Sequence, residues 1–165
     1  MLDSGKPALA QDDILKLDNQ LCFGLYAATH AITRAYRPLL NELGITYSQF
    51  LVLLVLWEND KQTVTSLGAS LFLDSGTLSP VLKRLEASGF VTKTRQSRDE
   101  RVVEVMLTRN GRDLQERART VCQKVRCRIG LPDPDLALMR RDLDRLVGAL
   151  NENAPSAKST DGATE

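Results

Sequence analysis

Asp74-Ser75-Gly76-Thr77-Leu78-Ser79-Pro80-Val81-Leu82-Lys83-Arg84-Leu85-Glu86-Ala87-Ser88-Gly89 is the stretch whose reading decides the fold. Asp74, Ser75 and Thr77 are three candidate N-caps, so a helix is expected to begin here, run to about Ser88 and stop at Gly89. Leu78, Val81, Leu82 and Leu85 recur at helical spacing and fall on one side. That leaves Gly76, Thr77, Ser79, Pro80, Lys83, Arg84 and Ala87 facing away, a surface of small residues with two cations. Small side chains let a helix backbone approach a large partner closely. Pro80 is expected near the helix start, where its missing N–H costs no internal hydrogen bond.

Upstream lies a short apolar segment, Val64 to Leu73, and downstream two β-rich runs, Phe90 to Arg95 and Val102 to Leu107. The runs flank a polar tip, Gln96 to Arg101, and read as a two-stranded hairpin. Thr63 to Thr108 therefore reads without a break as a winged helix-turn-helix, which makes double-stranded DNA the first partner to consider. Thr77, Ser79 and Lys83 are the expected helix contacts, to phosphate or to base edges, and Arg84 joins them unless it pairs with Glu86 or a wing acid. Arg98 and Arg101 at the ribbon tip are placed to reach phosphates or a minor groove.

The formal net charge of +1 hides an uneven distribution. Residues 1–75 hold 5 Lys/Arg against 8 Asp/Glu, residues 76–112 hold 8 against 4, and residues 113–165 hold 9 against 9. The excess of cations sits on the candidate reading helix and wing, which is the electrostatic footprint of a phosphate-binding surface. With 165 residues and 42% hydrophobic content, a single domain is expected over 12–150. Within it, 46–108 forms the DNA-binding lobe, 12–45 and 109–150 are dimerisation helices, and 1–11 and 151–165 are flexible tails. No stretch reaches membrane-spanning length and Met1-Leu2-Asp3-Ser4-Gly5-Lys6 lacks the order of a signal peptide, so a cytoplasmic protein is expected. Three scattered cysteines and one histidine, His30, make neither a disulfide framework nor a zinc site, and no cofactor is expected.

The remainder is helical by pattern, giving a mainly α fold with a small β wing. From Ile14, the apolar positions Leu17, Leu21, Leu25, Ala28, Ile32, Ala35 and Leu39 recur at steps of three and four, predicting a long first helix bent or loosened at Pro38. A second helix, about Tyr47 to Asn59, is almost uniformly apolar and is expected to be the buried centre of the lobe. Thr108 caps a helix carrying Leu114, Ala118, Val121 and Val125. Asp133 and Pro134, as N-cap and first residue, open a last one with Leu136, Met139, Leu143, Leu146, Val147 and Leu150 on one face. Apolar stripes that one small lobe cannot cover imply an obligate homodimer through the N- and C-terminal helices.

Cys22 lies on the first helix, and the chain's three tyrosines follow it at +4, +14 and +25: Tyr26, Tyr36 and Tyr47. Phenolic hydroxyls donating to sulfur favour thiolate over thiol, and the thiolate is the form that attacks a peroxide. Tyr26 can share a face with Cys22, whereas Tyr36 is 14 residues on, about 21 Å along an unbroken helix. An antiparallel two-fold crossing would bring it instead over the partner's Cys22. Phe23 and Leu25 nearby favour an apolar peroxide. A sulfenic acid formed on Cys22 condenses with a second thiol. Measured from Leu114, Cys122 falls roughly 80° round its helix, at the border of the packed face, and Cys127 near 220°, exposed beside Arg126 and Arg128.

The residues from Asp74 to Glu86, followed by Arg98-Asp99-Glu100-Arg101 and Leu107-Thr108, resemble the MarR family of dimeric winged-helix repressors. Within that family the chain is similar to the organic hydroperoxide resistance regulators, whose sensing cysteine matches Cys22 and whose three pocket tyrosines match Tyr26, Tyr36 and Tyr47. The resemblance covers about residues 12–150. It implies a reduced dimer that represses a neighbouring thiol peroxidase gene, with Arg101 entering the minor groove and Asp99 orienting it. It also implies release of DNA on oxidation by an organic hydroperoxide. In the two-cysteine branch the resemblance implies a disulfide from Cys22 to a cysteine near the end of the fifth helix of the other subunit, a role that Cys127 fits by position and for which Cys122 is the alternative.

Taken together, the expected function is a peroxide-responsive transcriptional repressor rather than an enzyme, since no motif for turnover and no second acid/base constellation is present. A repressor released by a small phenolic ligand, with Cys22 inert, is the competing reading.

Overall fold

A computed structural model of the protein describes residues 13–96 and 99–153. Arg98, the side chains of Asp99 and Arg101, residues 1–12 and residues 154–165 lie outside that description, and with them the expectations for the ribbon tip and the two tails. The chain divides after Arg128 into two compact units.

In the first unit a 3-10 turn, Leu17–Asn19, precedes α1, Leu21–Asn41. The expected helix from Ile14 thus starts seven residues late. The Gln20 side-chain amide donates to the Ile14 and Lys16 carbonyls, and Gln20 itself is extended at φ −86° and ψ 111°, which turns the chain before α1 can propagate backwards. At its other end α1 runs through Pro38 to Asn41.

Next comes α2, Tyr47–Glu58, held by a reciprocal cap: the Gln49 N–H donates to Thr46 Oγ1 at 3.3 Å, and the Thr46 N–H to Gln49 Oε1 at 2.7 Å. This satisfies Gln49, which is buried with Phe50, Val52, Leu53 and Leu56. As expected, α2 is the centre of the lobe, although Leu54 on its far side stays exposed.

A two-residue strand, β1 at Gln62–Thr63, leads into α3, Val64–Leu71, which ends at Phe72 in the left-handed region at φ 54°. Asp74 then caps α4, Ser75–Ala87, accepting from the Thr77 N–H at 2.8 Å and the Thr77 hydroxyl at 2.7 Å. Pro80 sits deeper than the sequence reading placed it. Intrahelical bonding begins with Leu78 N–H to the Asp74 carbonyl, so the sixth residue, Pro80, forfeits one bond to Gly76. Burial of Leu78, Leu82 and Leu85 on the opposite face, at 0 to 1% exposure, holds the helix in place regardless.

The wing is β2, Val91–Gln96, paired antiparallel with β3, Asp99–Leu107, with a register shift between Arg95 and Gln96. β1 adds to the other side of β3, giving the order β1-β3-β2. Two residues cannot show an alternating pattern, which is why β1 is invisible in the sequence.

The last element of this unit is α5, Arg109–Ile129. Thr108 caps it by accepting from Gly111 N–H at 3.1 Å while donating to the Gly89 carbonyl at 2.7 Å. Leu114, Ala118, Val121 and Val125 are buried as the periodicity predicts. Gly111 lets the helix start lie against the wing, since a Cβ there would stand 2.1 Å from the Phe90 carbonyl oxygen. Its own carbonyl accepts from Trp57 Nε1 at 2.9 Å. Asp60 ties the same corner together, accepting from Leu107 N–H at 2.9 Å, from Lys61 N–H at 2.9 Å and from Arg112 at 2.8 Å.

The second unit holds α6, Asp133–Glu152. Its N-cap is Pro132 rather than Asp133, so Asp133 and Pro134 are the first two helical residues. A cap needs only a non-helical backbone and a free carbonyl, and Pro132 supplies both: its oxygen takes the N–H groups of Asp135 and Leu136. No residue of α6 is buried; Leu138, Met139, Leu143, Val147 and Leu150 are exposed. Among the described residues, no helix is long and apolar enough to cross a membrane.

Candidate functional site

The outward face of α4 is as the sequence pattern draws it. Gly76, Thr77, Ser79, Pro80, Lys83, Arg84 and Ala87 are exposed, while Leu78, Leu82 and Leu85 are buried and Val81 partly so. Two of the polar side chains also serve the helix. Thr77 Oγ1 donates to Asp74, and Ser79 Oγ donates to the Ser75 carbonyl at 2.6 Å, so each hydroxyl keeps only acceptor capacity beyond its internal bond. The acceptor role holds the Asp74 carboxyl below its usual range, through the Thr77 hydroxyl first and the Thr77 N–H second. Glu86, offered by the sequence as a partner for Arg84, is instead paired with Lys93 of β2 at 2.8 Å. That pair joins α4 to the wing and leaves Arg84 and Lys83 presented on the exposed face.

The candidate thiol chemistry is split between an aromatic cluster and two exposed cysteines. Tyr36, near the end of α1, and Tyr47, the first residue of α2, pack with ring centroids 5.4 Å apart. Phe50 closes the group at 5.5 Å from Tyr36 and 6.4 Å from Tyr47, and itself contacts Trp57 at 6.3 Å. Local sequence explains this meeting. The Thr46 cap starts α2 at Tyr47, so Tyr47 and Phe50 lie one turn apart on the face turned to α1.

Cys122 of α5 completes the cluster. It is half-buried and packs against the same hydrophobic core as Tyr36 and Tyr47, close enough to Tyr36 to act on its titration. Burial pushes the Tyr36 phenol up to about 12, with Cys122 and Tyr47 adding to the rise, and burial raises Tyr47 as well. Both phenols therefore stay protonated at neutral pH, each with a proton to donate. Cys122 also lines a cavity of about 590 Å³ together with Phe50, Leu54, Val55, Trp57 and Ala118.

Cys22 is the second residue of α1 and is exposed, and Tyr26 one turn on is 62% exposed with its ring edge-on to His30 at 4.3 Å. Cys127 is exposed near the end of α5, between Arg126 and Arg128. One protomer thus brings together Tyr36, Tyr47 and Cys122, and leaves Cys22, Tyr26 and Cys127 on its surface. The packing of Tyr36 and Cys122 against one core joins residues far apart in the chain and went unread in the sequence. The position of Cys122 at the border of the packed face was its one available signal.

The family model for transcriptional regulators SarA/Rot matches residues 34–118. The chain is 47% identical over 151 residues to the HTH-type transcriptional regulator TtmR of Methylorubrum extorquens, covering 92% of this chain and 76% of that protein. It is 45% identical over 141 residues to the organic hydroperoxide resistance transcriptional regulator of Bacillus subtilis, covering 84% and 89%. Among solved structures it superposes on reduced AbfR bound to DNA with a TM-score of 0.71 at 40% identity, over 84% of this chain and 96% of that one. A disulfide-formed structure of AbfR, a protein of Staphylococcus epidermidis, matches with a TM-score of 0.59 at 39% identity, over 82% and 96%.

Proposed function

The chain belongs to the SarA/Rot family of transcriptional regulators, winged-helix proteins of the MarR type, and from that premise we propose that it is a homodimeric repressor that loses its operator when an organic hydroperoxide oxidises Cys22. In the reduced state α4 enters the major groove with Thr77, Ser79, Lys83 and Arg84, and the wing residues Arg98, Asp99 and Arg101 serve the neighbouring minor groove. Affinity then falls steeply with salt, because cations on both elements displace counterions from phosphate. Such a protein works in the cytoplasm, with its DNA. The relatives named above are transcriptional regulators, not enzymes.

The observation that carries the reading is the pair of protonated phenols, Tyr36 and Tyr47, held together by burial while Cys22 stands exposed among apolar residues at the other end of the same helix. A donor pair and a thiol that cannot meet within one protomer meet across a two-fold axis, with Tyr26 beside the sulfur on its own helix. There the Cys22 thiolate attacks a peroxide oxygen. An S–O bond forms as the O–O bond breaks, two electrons pass from sulfur to peroxide, and the departing alkoxide takes a proton to leave as an alcohol. The sulfenic acid next condenses with the thiol of Cys127 from the other subunit, releasing water and forming an intersubunit disulfide. Sulfurs must close to about 2 Å for that bond, which moves the helices carrying them and with them the spacing of the two α4 helices.

A gel-shift titration with cumene hydroperoxide, on DNA from upstream of the gene and its neighbours, tests the reading. Binding is expected to be lost on oxidation and retained in Cys22→Ser; a Cys22→Ser protein that is still released by peroxide overturns it. Cys127→Ser is expected to respond yet give no dimer-sized band on a non-reducing gel, and a persisting band assigns the resolving role to Cys122. The cavity beside Cys122 supports one other reading, release by a small phenolic ligand without redox chemistry, which ligand-induced release under full reduction would select.

A further inference from the structure

Glu86 stands on the helix proposed to meet DNA, where a carboxylate repels phosphate, and both of its oxygens are turned to the wing. Resting on the reading above, we propose that Glu86 is a positioning residue for DNA binding: it clamps the root of the wing to α4, so that helix and wing engage their two grooves together.

Three observations carry the inference. Glu86 Oε1 accepts from the Lys93 N–H at 3.2 Å while Oε2 lies 2.8 Å from Lys93 Nζ, so one carboxylate holds both the backbone and the side chain of a single wing residue. The pair is partly sheltered, with the Lys93 and Glu86 side chains 28% and 39% exposed, and is screened less than an ion pair in open solvent. Next, β2 is an edge strand of the sheet, in the order β1-β3-β2, and an edge strand turns a row of N–H groups away from the ladder. Lys93 sits opposite Val105 in that ladder, and it is Glu86 of α4 that takes its N–H. Finally, α4 and the wing do not pack along their whole length. A cleft of about 520 Å³ lies among α3, α4, β2 and β3, lined by Ser79, Lys93 and Val103 among others, and the clamp joins α4 to β2 at its border.

Leverage makes the clamp matter. From Lys93 to Gln96, the end of β2, the strand extends about 10 Å at roughly 3.3 Å per residue. A tilt of about 10° at the root therefore carries that end through about 2 Å, more than a hydrogen bond tolerates, and the residues proposed for the minor groove follow it in the chain. Bulk charge argues the other way. A carboxylate beside a phosphate-binding surface weakens binding, so removing Glu86 would tighten it if charge alone decided. The clamp makes the opposite prediction, because a wing free to swing must be ordered again on binding, at a cost set against its contacts.

The test uses full-length protein under reducing conditions, titrated at fixed salt against a labelled duplex from upstream of the gene, with a scrambled duplex of equal length as reference. Glu86→Ala is expected to bind the upstream duplex about five- to twentyfold more weakly than the parent, the range of a modest coupling. Glu86→Gln removes the same charge but keeps an oxygen for the Lys93 N–H, and should recover part of that loss. A cycle with Arg101→Ala then asks whether Glu86 works through the wing: once the wing arginine is gone, Glu86→Ala should cost less than about twofold. Melting followed by circular dichroism, with binding measured well below the lowest midpoint, keeps loss of fold out of the comparison. A Glu86→Ala protein that binds as tightly as the parent or more tightly, a glutamine variant as weak as alanine, or an equal loss with and without Arg101 overturns the proposal. If Arg101→Ala alone binds like the parent, the wing's part in the proposed function fails; if the parent does not prefer the upstream duplex, the reading of DNA fails. Either takes the clamp with it, and each is read from proteins in which Glu86 is untouched.

Discussion

The winged lobe and the first half of α1 spend apolar residues in opposite ways. In the lobe, Phe50, Leu53, Leu56, Leu67, Leu78, Leu82, Leu85 and Val105 are all but inaccessible, joined in one core that α2 fills and α3, α4 and the sheet surround. Along α1, Leu21 is 63% exposed, and Phe23, Tyr26 and Ile32 are exposed as well. The contrast teaches that α4 and the wing are positioned by contacts complete within one protomer, whereas the end of α1 that carries Cys22 leaves its apolar residues exposed there.

Paired substitutions break that comparison most directly. Leu53→Ala is expected to cost about 2–5 kcal/mol in denaturant unfolding, as a buried leucine removed from a closed core does, with the same loss at every protein concentration. Leu21→Ala removes as many atoms but should act through association, so its effect grows on dilution; equal, concentration-independent losses for the two would erase the distinction. Gly111→Ala comes next at about 2–3 kcal/mol, because its Cβ would stand 2.1 Å from the Phe90 carbonyl oxygen and force α5 away from the wing. Thermal unfolding near that of wild type would mean the junction yields more easily than the packing implies.

Asp60→Asn sharpens the same junction through pH. Burial raises the Asp60 carboxyl, but the Leu107 and Lys61 N–H groups and Arg112 together outweigh it and hold the group below its ordinary value of 3.8. A depressed carboxylate stabilises the folded protein fully above that ordinary value, and the contribution disappears as pH falls through the lower folded value. The variant should therefore be less stable by about 1–2 kcal/mol at neutral pH, with the gap to wild type narrowing below about pH 4. A gap that is the same at pH 7 and pH 3 would assign the effect to packing. The smallest loss, about 1 kcal/mol, is expected for Thr108→Ala, which uncaps α5 and frees the Gly89 carbonyl. Circular dichroism melts resolve a change of that size.

Much of the exposed face of α4 was legible because it depends on neighbours in sequence. Caps at Asp74 and Thr108, the stop at Gly89 and the spacing of Leu78, Leu82 and Leu85 act within a few residues, and each held. Where local rules competed, the reading slipped. Gln20 reached back to end the expected run from Ile14, Pro80 was tolerated deeper in α4 because buried leucines hold that helix, and Pro132 capped α6 in place of Asp133. Glu86 found Lys93 on a strand seven residues away, a pairing that depends on how the wing folds back.

The sequence alone settled the order of the longer helices and the wing, the polar and apolar faces of α4 and α5, and the exposure of Cys127, because helical periodicity converts spacing into direction without knowledge of the rest of the chain. Only the tertiary structure decided that Tyr36, Tyr47 and Phe50 form one cluster and that Cys122 packs against the same core as that cluster while Cys22 stays exposed. Those contacts join α1, α2 and α5, helices separated by tens of residues, and the angle at which such helices cross is set by the packing of a shared core that no local pattern encodes.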